Sequence, residues 1–562
     1  MSKQFNSALQ GQYTIGNQVM WKGAGYSDDD MARPIIGVAN SFSDMVAGHT
    51  MLRNVARMVK NGIYRAGGTP AEFGTIACCD GVADAHDGGN YVLPSRENIA
   101  DSVEIMARAH RLDGIVLLGS CDKIVPGMLM AAARLDIPCI FVPGGCMLSG
   151  PPALDQGLSD TTTASEAMGR YSSGEITYEE VRRIGHTSAP SCGSCAFMGT
   201  ANSMCCFAEA LGLVLPGGAL IPAVYNERLR SALKSGEKIV ELVLRGISSR
   251  KIINEKALEN AVMTMMAIGG STNCVIHACA IAHEIGIDPH RVIDAFDRYS
   301  EIIQLIAKIN PAGHDHDAVD LYQAGGVPEV LKVIEGFLHT DAVTVTGMTL
   351  GENLGAFKNM YPPNSGLIRT LENPHSKLGG LAVLRGNLAP GTGISKPAAI
   401  HEDARMFTGR AICFDSEDDC VKAIEERRIK PGHVVVIRYE GPKGGPGMRE
   451  LYKPMKLLYG QGLSREAAII TDGRFSGTNS GCFVGHISPE AAVGGPIALV
   501  RDGDEITIDI IEKRLTLHVD GHELEKRGAE WSYTPRKGIC GYLARYSAAV
   551  SSADRGAVLN TI

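Results

Sequence analysis

Pro34-Ile35-Ile36-Gly37-Val38-Ala39-Asn40 is the stretch on which the fold reading turns, because an amphipathic run from Met51 to Ala66 follows it at once. The alternation then repeats. Apolar runs at Phe73 to Cys78, Gly114 to Leu118 and Pro138 to Pro143 are interleaved with helical patterns at Arg96 to Arg111 and Gly127 to Leu135. Strand-like runs alternating with helices predict a parallel sheet flanked by helices. Ligands of such sheets gather at the carboxyl ends of the strands, and both Cys79-Asp80 and Cys121-Asp122 fall where an apolar run ends.

Further along, from about Ser188, the chain turns helical and rich in small residues, at Ala201 to Leu211, Ile239 to Leu244 and Ala257 to Met266. After about residue 365 the texture changes. Short strands at Gly380 to Leu384, His433 to Arg438 and Ala467 to Ile470 are separated by Gly and Pro turns rather than helices. An Asp502-Gly503-Asp504 turn joins Pro496 to Val500 with Glu505 to Ile511, and Arg514 to Val519 ends at Asp520-Gly521. The pattern predicts a mostly β, barrel-like region. The fold class is therefore α/β: an N-terminal parallel-sheet domain flanked by helices over residues 1–365, then a β-barrel-like domain over residues 366–562.

The 562 residues, 44% hydrophobic and 21% charged, suit an ordinary soluble globular protein. Net charge is −8 and the 54 Lys and Arg are scattered, so no basic footprint points to nucleic acid. No apolar run is long enough for a bilayer, and Met1-Ser2-Lys3-Gln4-Phe5-Asn6 lacks the apolar core of a secretory signal. The expectation is a cytoplasmic chain with no membrane partner. Fifteen cysteines, with adjacent pairs at Cys78-Cys79 and Cys205-Cys206, suit reduced thiols and metal binding better than a disulfide framework. Cys139, Cys274, Cys279 and Cys413 lie in apolar runs and are expected to be inert core.

Three short stretches carry soft and hard ligands side by side: Cys78-Cys79-Asp80-Gly81, Cys121-Asp122-Lys123 and Cys192-Gly193-Ser194-Cys195. Thiolates prefer iron or zinc and carboxylates prefer magnesium, which predicts an iron–sulfur cluster beside a divalent, oxygen-ligated ion. That pairing suits removal of water from a hydroxy acid.

Several longer segments resemble the dihydroxy-acid and sugar-acid dehydratase family. They are Leu93-Pro94-Ser95-Arg96-Glu97, the run from Gly119 to Met128, Thr200-Ala201-Asn202-Ser203-Met204, the run from Tyr439 to Glu450, Thr471-Asp472-Gly473-Arg474-Phe475-Ser476-Gly477 and Gly485-His486-Ile487-Ser488-Pro489-Glu490. The resemblance runs from about residue 33 to the tail at Gly541 to Tyr546. It implies that Cys121 and Cys195 ligate the cluster. A further cysteine of many members falls at Gly48 here, so Cys79 takes that role, as in the phosphogluconate dehydratase branch. Three thiolates leave one iron open to act as a Lewis acid, and a 4Fe–4S cluster is favoured over 2Fe–2S.

The resemblance also implies Mg2+ on Asp80, Asp122 and Glu450, with Lys123 carbamylated into an anionic oxygen ligand. It implies Ser476 as the base, its hydroxyl deprotonated by nearby cationic charge or metal, with Thr478 hydrogen-bonding the alkoxide or leaving group. His86 and His486 have family counterparts that orient ligands or substrate, while Arg96 and Arg474 either anchor a carboxylate or pair within the fold. The implied reaction is dehydration of a 2,3-dihydroxy acid to a 2-keto acid by a homodimer or homotetramer, with a small hydroxy acid as the only partner. The tail from Gly541 to Arg545 and Ile221-Pro222-Ala223-Val224 favour the branched dihydroxy acid of valine and isoleucine synthesis. The polar run Asn310-Pro311-Ala312-Gly313-His314-Asp315-His316-Asp317 keeps a sugar acid as the alternative, and an iron–sulfur electron carrier is the remote one.

Overall fold

Four all-buried or edge strands build the first layer of the computed structural model, which describes residues 5–6, 8–10, 14–84, 86–154, 157–313, 315–364, 366–475 and 481–560. They are β1 (Ile35–Asn40), β2 (Thr69–Gly74), β3 (Gly114–Gly119) and β4 (Cys139–Pro143), all parallel in the order β2-β1-β3-β4. Strands β1, β3 and β4 are apolar at nearly every position because helices cover both faces of the sheet. The helices Leu52–Arg65, Gly89–Ala109, Ile124–Leu135 and Asn226–Arg245 pack around it, and Thr200–Ala210, Glu255–Ile268 and Asn273–Glu284 extend the same core.

Two boundaries differ from the sequence reading. Strand β2 spans Thr69–Gly74 rather than Phe73 to Cys78, which leaves residues 75–79 as the loop that carries Cys79. Pro70 masks the strand in the sequence and is tolerated because β2 is an edge. The second helix starts at Gly89, not Arg96, with Pro94 inside it. Proline has no N–H for the carbonyl four residues back. That carbonyl, of Asn90, lies where a Cβ on Gly447 would overlap it, so the helix takes in the Glu450 loop at this point. The Asn90 amide donates to the Pro446 carbonyl at 2.7 Å and to that of Gly445.

A two-stranded ribbon, β5 (Gly150–Pro152) with β6 (Leu158–Ser159), precedes the helical middle of the chain. The second large sheet comprises β7 (Ala382–Leu384), β8 (Thr392–Ser395), β9 (Met406–Phe414), β10 (His433–Ile437), β11 (Ala468–Thr471), β12 (Phe483–Ser488), β13 (Glu505–Asp509) and β14 (Arg514–Leu517). Their order is β14-β13-β9-β10-β11-β12-β8-β7. Its two edges meet: Arg385 N donates to Lys513 O and Leu515 N to Arg385 O, both at 3.0 Å, so the sheet curls into a nearly closed barrel.

The sequence reading expected turns rather than helices between these strands. The structure corrects it: β9, β10, β11 and β12 are parallel, and helices Glu417–Glu425 and Tyr452–Gly460 make crossovers. Parallel neighbours cannot be joined by a tight turn. Alternation along the strands serves both faces. Val434, Val436, Ala468, Ile470 and Val484 fill the barrel, while Val435, Ile437, Ile469 and Phe483 face the crossover helices. Pro496–Leu499 is a 3-10 turn rather than a strand. Among the described residues no helix is long and apolar enough to cross a membrane.

Candidate metal centre

The candidate loops carrying Cys79-Asp80, Cys121-Asp122-Lys123 and Glu450 each leave a parallel strand and enter a helix, whereas Cys195 lies in the loop between helices Tyr178–Thr187 and Thr200–Ala210. Cys79 is the N-cap of the short helix Asp80–Ala83 after β2, and Cys121-Asp122-Lys123 lies between β3 and the helix Ile124–Leu135. Unpaired N–H groups at these helix starts favour negative charge. Glu450 ends the Gly-rich loop after β10, and its backbone pairs with that of Arg474 from the loop after β11. The two sheets thus bring their strand ends to one place.

Oxygen atoms of Asp80, Asp122 and Glu450 lie within 4.8 Å of one another. Lys123, completely buried, reaches into this triad: its Nζ is 2.6 Å from Asp80 Oδ2, 3.7 Å from Asp122 and 3.9 Å from Glu450. Arg474 donates to Glu450 Oε2 at 2.7 Å, and Asn273 donates to the same oxygen at 3.1 Å. Burial, and after it the charge of Asp80, pushes the Asp122 carboxyl up. Asp80 Oδ1 is buried without a hydrogen-bond partner among the described residues. Three hard oxygen donors, one of them with an unused buried atom, fit an octahedral divalent cation.

Cys79, Cys121 and Cys195 are free thiols close enough that the charge of one raises the next: Cys79 and Cys195 act on Cys121, and Cys79 acts on Cys195. Burial is the larger cause, and it drives Cys79 up to about 11 and the other two higher still. Three clustered thiols at high pKa, Cys121 buried and Cys79 and Cys195 half-buried, become ligands only beside a strong positive charge, which an iron–sulfur cluster would provide. The donor set therefore fits both groups. Gly48 abuts it, since a Cβ there would lie 2.7 Å from Cys121 Sγ.

Several positions that the sequence reading passed over hold this centre. His49 is fully buried, and its Nε2 accepts from Ser120 N and Cys121 N, both at 3.1 Å, while Nδ1 donates to Ser41 O at 2.6 Å. Burial holds that imidazole down at about 4, so it stays neutral and able to accept. Asn202 pins the third loop by donating to Cys195 O at 2.6 Å and Phe197 O at 2.8 Å. Asp84 is a fourth carboxyl beside the triad, raised well above its usual range by burial and then by Glu450 and Asp80. Its place four residues after Asp80 on a helical turn was the available signal.

The remaining expectations divide. Arg96 pairs with Glu97 at 2.7 Å and Arg474 with Glu450, so both are engaged within the fold. His86 closes its own turn, its ring bonded to Val82 O and Gly88 N, whereas His486 is buried next to Arg474 and Lys123. Ser476 and Thr478 lie outside the described residues.

Residues 33–353 match the family described as dihydroxy-acid/6-phosphogluconate dehydratase N-terminal, and residues 366–557 match its C-terminal counterpart. A protein of Caldanaerobacter subterraneus named dihydroxy-acid dehydratase is 50% identical over 536 residues, 95% of both chains. Proteins of the same name from Pyrococcus furiosus and Methanosarcina barkeri are 49% and 46% identical, covering 96% and 98% of this chain and 97% and 99% of their own. With both of its halves matched in order and relatives alike over nearly their full length, the chain belongs to the dihydroxy-acid/6-phosphogluconate dehydratase family.

Proposed function

We propose that this chain removes water from a 2,3-dihydroxy carboxylic acid to give a 2-keto acid, with the branched dihydroxy acid of valine and isoleucine synthesis (dihydroxyisovalerate) as its substrate. As a member of its family it is a hydro-lyase. The observation that carries the reading is the Asp80, Asp122 and Glu450 triad set beside three mutually interacting thiols. Hard and soft ligands side by side suit a substrate gripped at two adjacent oxygens.

In this reading Asp80, Asp122 and Glu450 hold Mg2+. Lys123 joins them once carbamylated, which exchanges its ammonium for an oxygen ligand. Cys79, Cys121 and Cys195 hold the cluster, 4Fe–4S rather than 2Fe–2S, with one iron free of protein ligands. When bound, the two groups supply Lewis acidity at the substrate carboxylate and hydroxyls. The protein's own part is to orient and to move a proton. Arg474 and Asn273 fix the Glu450 carboxylate. Ser476, as its alkoxide stabilised by Thr478, would take the α-carbon proton while the C3–O bond breaks; the departing hydroxide would take up that proton and leave as water, restoring the alkoxide, and the resulting enol would relax to the keto acid. The division at residue 365, the cytoplasmic setting and a homodimer or homotetramer belong to the same proposal.

The sugar-acid alternative rested on the polar run from Asn310 to Asp317, and several of those groups have structural partners. Asn310 donates to Asp160, and Asp317 caps the helix Ala318–Gln323 and accepts from Ser149. Those side chains are therefore not free to read extra hydroxyls. Anaerobic assay of the cluster-loaded protein with dihydroxyisovalerate, gluconate, xylonate and arabinonate tests the reading. The expected result is Mg2+-dependent keto acid from dihydroxyisovalerate, abolished in Ser476→Ala with Mg2+ and cluster binding retained. Keto acid from none of the four, or turnover without Mg2+, refutes it.

A further inference from the structure

His277 lies one turn beyond Asn273 in the helix Asn273–Glu284, on the face that meets the carboxylate triad. It is completely buried, and its Nδ1 stands 3.2 Å from Arg96 Nη1. A guanidinium only donates hydrogen bonds, so Nδ1 is the acceptor and the ring proton sits on Nε2. That Nε2–H has no partner among the described residues. A buried donor left unpaired is costly, and Arg96 does not need this ring: it also donates to Glu97, Gly556 O and Ala557 O.

A second ring shares the neighbourhood. His486 is 2% exposed, its Nε2 also has no partner among the described residues, and its backbone is held at a φ of +55°, a region that a non-glycine residue enters at a cost. His486 acts electrostatically on His277, and both rings lie within electrostatic reach of Lys123 and Arg474. Burial, with the cations Arg96, Lys123 and Arg474 beside it, keeps His277 neutral, so it is a donor at one nitrogen and an acceptor at the other. Each ring thus has an Nε2 without a partner among the described residues, His277 in a fixed tautomer, within electrostatic reach of Lys123 yet outside the carboxylate donor set.

We infer that His277 is a substrate-binding residue, whose Nε2–H donates to an oxygen of the hydroxy acid held at the Asp80, Asp122 and Glu450 triad. The inference rests on the function proposed above. Arg96 is then a positioning residue: its guanidinium fixes the tautomer and ties the site to the C-terminal carbonyls of Gly556 and Ala557.

Two substitutions separate this role from a structural one. Glutamine can place an amide N–H near the Nε2 position, whereas asparagine reaches only the Nδ1 position and keeps an acceptor for Arg96. The expected result, with dihydroxyisovalerate on cluster-loaded protein, is near wild-type kcat/KM for His277→Gln and a loss of about 10–100-fold, mostly in KM, for His277→Asn at unchanged Mg2+ affinity. An active His277→Asn or a folded but inactive His277→Gln overturns the inference, as does failure of both to fold, which assigns the ring to structure alone. Should only the asparagine variant fail to fold, an active His277→Gln still supports it; should only the glutamine variant fail to fold, it is overturned. Turnover by the wild type is the control for the functional reading. Without it that reading fails; with it, a working asparagine variant defeats this inference alone.

Discussion

Replacing Gly48 by alanine tests the thiol cluster with a single carbon atom. The added Cβ would lie 2.7 Å from Cys121 Sγ, about 1 Å inside a comfortable contact of about 3.5–4.0 Å. It cannot retreat the other way, since Ser194 N and Cα stand at 3.2 and 3.4 Å. Gly48 is not in the left-handed region, so alanine costs nothing in backbone geometry there. The Cys121 backbone is held by His49, which leaves rotation of the thiol as the easiest escape. Overpacking of this kind costs about 1–3 kcal/mol, and the rotation changes where Sγ stands relative to Cys79 and Cys195. We expect Gly48→Ala to fold with a lowered unfolding midpoint and to take up iron and sulfide below stoichiometry on anaerobic reconstitution, with turnover falling in proportion. Gly74→Ala, with open space at its Cβ, is the control and should load as wild type. Full cluster content and normal turnover in Gly48→Ala would refute the placement of Cys121 among the ligands.

The other perturbations address the carboxylates. Glu450→Gln removes one of three triad charges and the nearest counter-charge of Arg474, itself 1% exposed. Breaking a buried pair costs up to about 3–5 kcal/mol, softened because the glutamine carbonyl still accepts; the expected outcome is a lowered unfolding midpoint and weakened Mg2+ binding by calorimetry. Glu490 accepts from Lys443 N and Gly444 N in the loop that leads to Glu450, and burial, followed by the charge of Asp472, raises its carboxyl to about 7. A carboxyl raised in the fold stabilises fully below its unfolded pKa and loses that contribution as pH rises through the folded value, here at most roughly 3 kcal/mol between about pH 4.5 and 7. Glu490→Gln should therefore flatten the fall in stability across that window in denaturant titrations, and an unchanged slope would count against it.

The N-terminal sheet was legible because Ile35 to Ala39, Gly114 to Gly119 and Cys139 to Pro143 are apolar runs, as strands covered on both faces are. The same signal was present in His433-Val434-Val435-Val436-Ile437-Arg438 and passed over, because the Gly and Pro residues around it suggested hairpins. An uninterrupted apolar run demands two covered faces, and hence the crossover helices found there. The candidate ligand stretches were legible as motifs, since residues on one loop stay neighbours in any fold. Their supports were not. His49 and Asn273 lie far in sequence from the amides or oxygen they hold, and nothing in spacing distinguishes a histidine that accepts two backbone N–H groups from one that fills core.

Lys123 shows most plainly why the centre has to change on loading. Its ammonium lies within 4 Å of all three triad carboxylates, where a cation would draw on the same oxygens. When all three are ionised, Asp80, Asp122 and Glu450 set three negative charges against the two positive ones of Lys123 and Arg474, and the raised Asp122 carboxyl brings the ion-free set closer to neutral. Adding a dication to an intact ammonium would place two cations in contact within a low-dielectric pocket, where like charges repel strongly. Either the lysine swings out, which its complete burial opposes, or it loses its charge. Carbamylation does the latter and supplies an oxygen ligand as well, so Mg2+ uptake by CO2-stripped protein should rise when bicarbonate is added; affinity that ignores bicarbonate would mean that the ammonium moves instead.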